Sequence, residues 1–171
     1  MSIVEFNGMR VRRPEPDDHP RVLKVLDRWW GEFEGSVGSV QRALLLPRLY
    51  FQHFTTGSFL VERDGELTGF LVGFLSQTRS DESYIHFVGV APEEQGRGLG
   101  TFLYERFFAY GRAHGRSVVR AITSSANTGS FAFHTRMGFT AEAGPKDVGG
   151  RPVQPDYDGP GLDRVSFVRP L

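Results

Sequence analysis

The stretch GVAPEEQGRGLGTFLYERF, residues Gly89–Phe107, decides the fold of this chain. Three glycines fall within residues 96–100, and apolar residues at helical spacing follow at once. A helix N-terminus has unpaired backbone N–H groups and the positive end of the helix dipole. Glycines in front of it let a ligand approach the backbone, because no Cβ stands in the way. The stretch therefore predicts a site for an anion such as a pyrophosphate, with a tight connection that binds nothing as the alternative.

Two familiar phosphate-binding motifs do not fit this stretch. A Walker loop needs Gly-Lys-Ser/Thr after the turn, and Gly100-Thr101 has no lysine. A dinucleotide-binding unit lies early in its domain and has an acidic residue about 20 positions further on. Here the glycines lie past the middle of the chain, and the next predicted strand, Ser117–Thr123, is followed by serines. Both motifs are excluded.

Composition limits the class of protein. A length of 171 residues predicts a single domain, residues 1–171, with a substantial core. The 20 basic and 20 acidic residues balance, so no nucleic-acid or membrane partner is predicted. The chain has no cysteine, which excludes disulfides, thiolate nucleophiles and cysteine-ligated metals and fits a cytoplasmic protein. His19, His53 and His114 have no partner at metal-ligand spacing, so no metal is predicted either.

The order of predicted elements indicates an α/β or α+β sheet covered by helices. Met9–Pro14 alternates like a strand, and a helix follows with Asp17 or Asp18 as its cap. A second helical region is interrupted by Pro47. The later elements are a hairpin turning at Asp64-Gly65, strands at Ser83–Ala91 and Ser117–Thr123 and a short helix at Asn127–Gly138. A long loop at Phe139–Leu162, with a strand at its start as an alternative, and a final strand, RVSFVRPL, follow.

Three motifs together resemble the GNAT superfamily of N-acetyltransferases. Gln95–Gly100 matches that family's Gln/Arg-x-x-Gly-x-Gly/Ala signature. Val88–Gln95 is similar to its strand with a proline-containing turn, and Asn127–Phe139 to its later helix ending in Gly-Phe. The resemblance is strong over Tyr84–Phe139. It implies a mixed, mostly antiparallel central sheet flanked by helices, with a splayed and bulged strand at the cofactor site.

The resemblance also implies an activity and a cofactor. Enzymes of this family transfer an acetyl group from acetyl-CoA to a primary amine of a small molecule or a protein, by direct attack in a ternary complex, and release coenzyme A. The pyrophosphate would lie on Gln95, Gly96, Arg97, Gly98, Leu99, Gly100 and Thr101. Val88 and Val90 would pair with the pantetheine arm, Gly89 would ease the bulge, and the N–H near Val88 would act as an oxyanion donor. Asn127 and Phe133 would contact the cofactor.

The catalytic residues depart from the family's pattern. His134 stands where many members have the tyrosine that protonates the leaving thiolate. An imidazolium with a pKa near 6.5 is a competent donor to a thiolate; the alternative is that His134 only packs and water supplies the proton. His86 is the leading candidate for the base that deprotonates the amine, since it shares a strand face with Tyr84 and Val88. Its alternative role is a buried, hydrogen-bonded histidine.

The resemblance also implies that substrate residues lie on the first two helices and on the loop before the last strand. Trp29, Trp30, Tyr84, Asp156 and Tyr157 are the candidates, and core packing, a dimer contact or a solvated acidic turn are the alternatives. Glu32, Glu34, Asp156 and Asp158 stay open as bases. Family members often form homodimers, but the sequence locates no interface. Two other functions stay open: an acyl-CoA sensor without turnover, and transfer of a longer acyl group.

Overall fold

A computed structural model describes residues 4–31 and 35–171 of the chain. Their contacts group into two compact units. The first contains the described residues up to Phe74 together with Phe87–Phe107, and the second contains Leu75–His86 and Phe108–Leu171. The single domain expected from the sequence stays a prediction.

The strands of the first unit form an antiparallel series. They are β1 (Val4–Phe6), β2 (Met9–Arg12), β3 (Phe59–Arg63) and β4 (Glu66–Leu75), and each pairs with the next. The turns Asn7-Gly8 and Asp64-Gly65 both have two positive φ angles, 49° and 75° in the first and 51° and 82° in the second. Two positive φ values are what a type I′ hairpin needs. The second hairpin confirms its prediction, whereas β1 and the first turn were not predicted.

Three helices follow β2 in the chain. They are α1 (Asp18–Trp30), α2 (Gly35–Leu45) and α3 (Leu49–His53), with the predicted break at Pro47. Val22 and Leu26 of α1 are fully buried in a cluster with Phe51, Leu60 and Phe70. Among the described residues, none of the helices is long and apolar enough to cross a membrane.

The predicted cap of α1 is wrong in its chemistry. Asp17 occupies the cap position but makes no side-chain cap hydrogen bond. Asp18 is buried and accepts hydrogen bonds from Arg12 and Arg21, which also bond to Glu62 of β3. Burial by itself would raise the pKa of Asp18, but the hydrogen bonds from Arg12 and from the Glu15 N–H outweigh it and lower that pKa. These ion pairs join β2, α1 and β3.

The second unit contains the start of β5 (Glu82–Val90) and the elements after α4 (Leu99–Ala113). These elements are β6 (Val118–Thr123), α5 (Thr128–Arg136), β7 (Thr140–Ala141), β8 (Lys146–Val148), β9 (Arg151–Val153) and β10 (Val165–Pro170). Strand β5 pairs parallel with β6, and β10 pairs antiparallel with both β6 and β7.

The long loop predicted for residues 139–162 is partly wrong, although β7 confirms the alternative of a strand at its start. Strands β8 and β9 form a hairpin there, turning at Gly149 and Gly150 with φ of 59° and 81°. The described strands are thus mostly antiparallel with one parallel pairing, and helices accompany them. This confirms the predicted fold class, a mixed and mostly antiparallel sheet with flanking helices.

Candidate functional site

The glycine loop connects β5 to α4 through a sharply turned backbone. Ala91 N–H donates to Thr68 O at 2.8 Å, and a single 3-10 turn, Pro92–Glu94, follows. Gly96 and Gly98 have φ of 75° and 89°. Residues with a Cβ rarely adopt such angles, so the chain needs glycine at both positions in order to enter α4 at Leu99 in this way.

The start of α4 presents backbone donors. Its first helical hydrogen bond runs from Phe102 N–H to Gly98 O at 2.9 Å. Within the part of the chain that the structure describes, the N–H groups of Gly98, Leu99, Gly100 and Thr101 have no protein acceptor. The side chains of Gln95, Arg97 and Thr101 are exposed, whereas that of Leu99 is fully buried. This arrangement presents N–H groups that could receive an anion, with Leu99 able to contribute only its backbone, and the anion site itself stays a prediction.

Strand β5 extends beyond its parallel partner. The pairing with β6 runs from Glu82–Val118 to Ile85–Ala121, whereas β5 itself continues to Val90. Val88 and Val90 lie on this extension and are half-buried. The extension offers backbone groups of the kind that the family uses for the pantetheine arm.

Gly89 is required by close packing. A Cβ on Gly89 would lie 2.5 Å from Phe70 Cε1, closer than side chains tolerate. The bulge expected at Gly89 stays a prediction.

His134 lies inside the second unit. Its side chain is almost fully buried, its ring is stacked on Phe167 and its Nδ1–H donates to Ser130 O at 2.8 Å. Burial lowers the pKa of His134 to about 4, because the buried site disfavours the charged ring. The ring is therefore neutral at pH 7. This corrects the expectation of an imidazolium with a pKa near 6.5.

The sequence-predicted residues Tyr84, His86 and Tyr157 come together. The hydroxyl oxygens of Tyr84 and Tyr157 are 3.3 Å apart, which joins β5 to the loop before β10. The rings of Tyr84 and His86 have centroids 6.5 Å apart and lie on the same face of β5. Both side chains are half-buried, and Tyr157 is exposed. Tyr84 thus neighbours both the His86 ring and the Tyr157 hydroxyl, and the role of His86 as a base stays a prediction.

Comparison with known proteins matches this chain to a protein family. Residues 22–139 match the acetyltransferase (GNAT) family. This chain belongs to the GNAT acetyltransferase family. The family uses acetyl-CoA as its acyl donor, and the chain is accordingly an acetyltransferase.

Two curated relatives and one solved structure illustrate the GNAT likeness. A 5-NmdU N-acetyltransferase of Pseudomonas phage PaMx11 is 30% identical over 76% of this chain and 86% of its own length. A mycothiol acetyltransferase of Streptomyces griseus is 38% identical over 78% of this chain, which spans only 43% of that enzyme. The crystal structure of a GNAT-family acetyltransferase from Desulfovibrio desulfuricans has a TM-score of 0.72, with 21% identity over 95% of this chain and 98% of that one. This structure supports the GNAT fold.

The acidic loop before β10 is organised by its own carboxylates. Asp156 has a φ of 53°, and its Oδ1 accepts from Gly161 N–H at 2.7 Å. Asp158 Oδ2 accepts from Arg164 Nε at 2.6 Å, so its charge is neutralised. Across residues 4–31 and 35–171, no group of three or more His, Asp or Glu side chains is placed to hold a metal ion. The loop therefore positions Tyr157, and a substrate contact of Asp156 stays a prediction.

The two adjacent tryptophans pack on phenylalanines of the first unit. Trp29 is stacked on Phe70 with ring centroids 6.4 Å apart, and Trp30 on Phe87 at 5.7 Å. Both are half-buried against the core cluster. Their role in substrate binding stays a prediction, and Glu32 and Glu34 lie outside the described residues.

Asn127 and Phe133 belong to the start and the middle of α5. Asn127 Oδ1 accepts from Ser130 N–H at 3.0 Å and caps the helix. Phe133 is half-buried, with its ring edge-on to His134 at 5.8 Å. The cap gives Asn127 a structural function, and the cofactor contacts of both residues stay predictions.

Sequence reasoning missed one residue of the glycine loop. Glu94 is buried, and its Oε1 lies 2.5 Å from Arg63 Nη1 and 3.7 Å from Arg97 Nη1. A charged residue two positions before the first of the glycines looks like solvated surface in the sequence. Its burial depends on Arg63, 31 residues earlier in the chain, and no local pattern signals that pairing.

Proposed function

We propose that this GNAT protein transfers the acetyl group of acetyl-CoA to a primary amine of a small molecule or a protein, by direct attack in a ternary complex. The observation that carries the proposal is the start of α4, where, among the described residues, the consecutive N–H groups of residues 98–101 have no protein acceptor and the backbone turns through Gly96 and Gly98 with positive φ. Such donors suit a pyrophosphate, and a Cβ at residue 98 would strain the backbone that presents them.

The glycine loop and β5 would bind different parts of acetyl-CoA. Gln95–Thr101 would hold the pyrophosphate, chiefly through backbone N–H groups. Backbone groups of Val88 and Val90, beyond the end of the β5–β6 pairing, would hold the pantetheine arm. Bound acetyl-CoA supplies the thioester, and the N–H near Val88 would donate to its carbonyl oxygen as negative charge develops there.

His86 would take the proton of the attacking amine. An amine is nucleophilic only when neutral, so a base near the reacting atoms raises the rate. His86 shares a face of β5 with Val88, one strand repeat of about 7 Å away. Asp158 is a poorer candidate because Arg164 neutralises its carboxylate. In the overall reaction a C–N bond forms, the C–S bond breaks and the amine proton passes through His86 to solvent.

His134 would act in positioning rather than in proton transfer. Its Nδ1–H is held by Ser130 O and its ring is neutral at pH 7. A neutral imidazole is a far weaker acid than imidazolium, so His134 is poorly suited to protonate a thiolate. We assign that proton to water and assign His134 to holding α5 against β10.

A panel of amines tests this function. The purified chain is incubated with acetyl-CoA and each amine, and free thiol and acetylated product are measured together. The proposal expects thiol and product to appear in equal amounts with at least one amine. Tight binding of acetyl-CoA with no product from any amine would instead favour the acyl-CoA sensor. Parallel reactions with longer acyl-CoA donors test the acyl preference.

A further inference from the structure

Glu94 brings two arginines together beside the glycine loop. Its side chain is only 3% exposed, and a single oxygen, Oε1, faces both Arg63 Nη1 at 2.5 Å and Arg97 Nη1 at 3.7 Å. Arg63 comes from the end of β3 and Arg97 from the loop itself. Because both distances end on one oxygen, the two guanidinium groups are near neighbours despite their like charge.

A buried carboxylate is an unexpected feature beside an anion site. It repels a phosphate, and burial makes that repulsion stronger than it would be in water. Its two arginine partners reverse the sign, because two positive charges surround one negative charge. The cluster as a whole therefore attracts phosphate.

Arg63 also keeps hydrogen-bonding capacity for a ligand. Its side chain is 41% exposed. Among the described residues only its Nη1 is bonded, and a guanidinium has five N–H donors. Arg12 provides the contrast, because its Nε, Nη1 and Nη2 are all bonded to protein acceptors. Arg12 is occupied by the fold, whereas Arg63 can bond a second anion.

We propose that Arg63 is a further phosphate-binding residue for acetyl-CoA and that Glu94 is its positioning residue. Glu94 holds Arg63 and Arg97 as a clamp on the phosphates, in addition to the backbone N–H groups of the loop. This inference rests on the proposed function, since it assumes that the loop binds acetyl-CoA.

Calorimetric titration of the full chain with acetyl-CoA tests the clamp. Arg63→Gln is expected to weaken binding about five- to tenfold, as loss of a partly exposed charged hydrogen bond does. The KM for acetyl-CoA should rise by a similar factor, while kcat at saturation changes much less. Arg79→Gln is the matched control. Arg79 is 61% exposed and pairs with the carboxylate of Glu82, as Arg63, 41% exposed, pairs with that of Glu94, and its replacement should leave binding unchanged.

Titration with 3′-dephospho-acetyl-CoA identifies the phosphate. If Arg63 contacts the pyrophosphate, Arg63→Gln weakens both ligands equally. If it contacts the 3′-phosphate, only acetyl-CoA is affected. Either result supports the clamp.

Glu94→Gln distinguishes a positioning role of Glu94 from the simple effect of its negative charge on a phosphate. Removing a negative charge near a phosphate should tighten binding if Glu94 does not position the arginines. The clamp predicts weaker binding, by about threefold or more, because the guanidinium groups are released. When Arg63 and Arg97 are both replaced by Gln, the further change Glu94→Gln should tighten the binding of acetyl-CoA.

The possible failures are distinguishable. If the folded wild-type chain does not bind acetyl-CoA, the proposed function fails. If the wild type binds but Arg63→Gln behaves like Arg79→Gln, or Glu94→Gln binds as tightly as the wild type, the inference is wrong. Thermal unfolding of each variant shows whether it has folded.

Discussion

The imidazole of His134 lies parallel to the ring of Phe167, with centroids 4.5 Å apart and an interplanar angle of 7°. Phe139 also packs edge-on to His134 at 5.2 Å. This aromatic surrounding keeps water from the ring and lowers its pKa to about 4. The residue that the sequence suggests as a proton donor to the thiolate is thus held neutral by packing, and this has consequences for stability and for catalysis.

The first consequence is a loss of stability in acid. The pKa of His134 is lower in the folded chain than the ordinary 6.5 expected after unfolding. Between these values the unfolded state binds a proton that the folded state does not, so the free energy of unfolding decreases as pH falls from 6.5 to 4. We expect His134 to account for about 3 kcal/mol of that decrease. Urea unfolding of the wild type and His134→Phe at several pH values measures it.

Two comparisons isolate the effect of His134. Asp18 and Glu62 also have lowered pKa values, but they are present in both proteins and cancel in the difference. His114 makes the same Nδ1 contact to the carbonyl four residues before it, yet it is exposed. His114→Phe, which replaces an exposed histidine and leaves His134 in place, is measured beside His134→Phe as the control. If the free energy of unfolding of His134→Phe decreases with falling pH as steeply as that of the wild type, His134 is not held neutral.

The second consequence concerns the leaving thiolate. If water protonates it, His134→Phe should keep kcat within about threefold of the wild type across pH 7–8. General acid catalysis by His134 would instead make the loss about 100-fold. Single-turnover measurements with a productive amine make the chemical step visible. A 100-fold loss in a folded variant with unchanged acetyl-CoA affinity would restore His134 as the acid.

For His86, in contrast to His134, we expect substitution to lower kcat strongly. His86→Gln should lower kcat about 100-fold near pH 7, because the amine loses its base. The deficit should shrink as pH approaches the amine's own pKa, about 10 for an alkylamine like lysine, since the neutral amine then forms without help. His114→Gln is the control. Equal rates for wild type and His86→Gln at pH 7, with chemistry rate-limiting, would remove His86 from the mechanism.

The close packing of Gly89 against Phe70 predicts that a side chain at residue 89 lowers the stability of the fold. A Cβ there would collide with Phe70, so Gly89→Ala should lower the free energy of unfolding by about 1–3 kcal/mol. Adding Phe70→Leu should cost less in the Gly89→Ala background than in the wild type, because it frees the needed space. Gly129→Ala is the control, since the nearest atom to its new Cβ is 3.8 Å away. No destabilisation by Gly89→Ala would mean that the strand can shift at Gly89.

Local patterns predicted much of the fold. The Asp64-Gly65 turn and the apolar runs on either side of it specify a hairpin by themselves. The spacing of Leu99, Phe102, Leu103, Phe107 and Tyr110 predicts one apolar face of α4, on which Leu99, Leu103 and Phe107 are fully buried. The first hairpin was also predictable, because Asn7-Gly8 is a strong turn signal between alternating residues. The β8–β9 hairpin was harder to predict, since its three-residue strands are too short to show a period.

The site was predictable only where its chemistry is local. The glycine loop depends on neighbouring residues, so the sequence describes it well. The neutral state of His134 depends on Phe167, 33 positions away, and the burial of Glu94 depends on Arg63 at the end of β3. Burial and charge state of this kind arise from tertiary packing, which a single sequence does not display.

Titration of acetyl-CoA into the wild type and Gly98→Glu by isothermal calorimetry tests the anion site most directly. A glutamate at residue 98 would strain a backbone with a φ of 89° and put a carboxylate where the pyrophosphate binds. Gly115→Glu makes the same change at a φ of 72° beyond the end of α4. We predict saturable binding by the wild type and Gly115→Glu and no measurable binding by folded Gly98→Glu. Equal affinity of all three proteins, or no heat from the folded wild type at millimolar acetyl-CoA and several temperatures, would contradict the account.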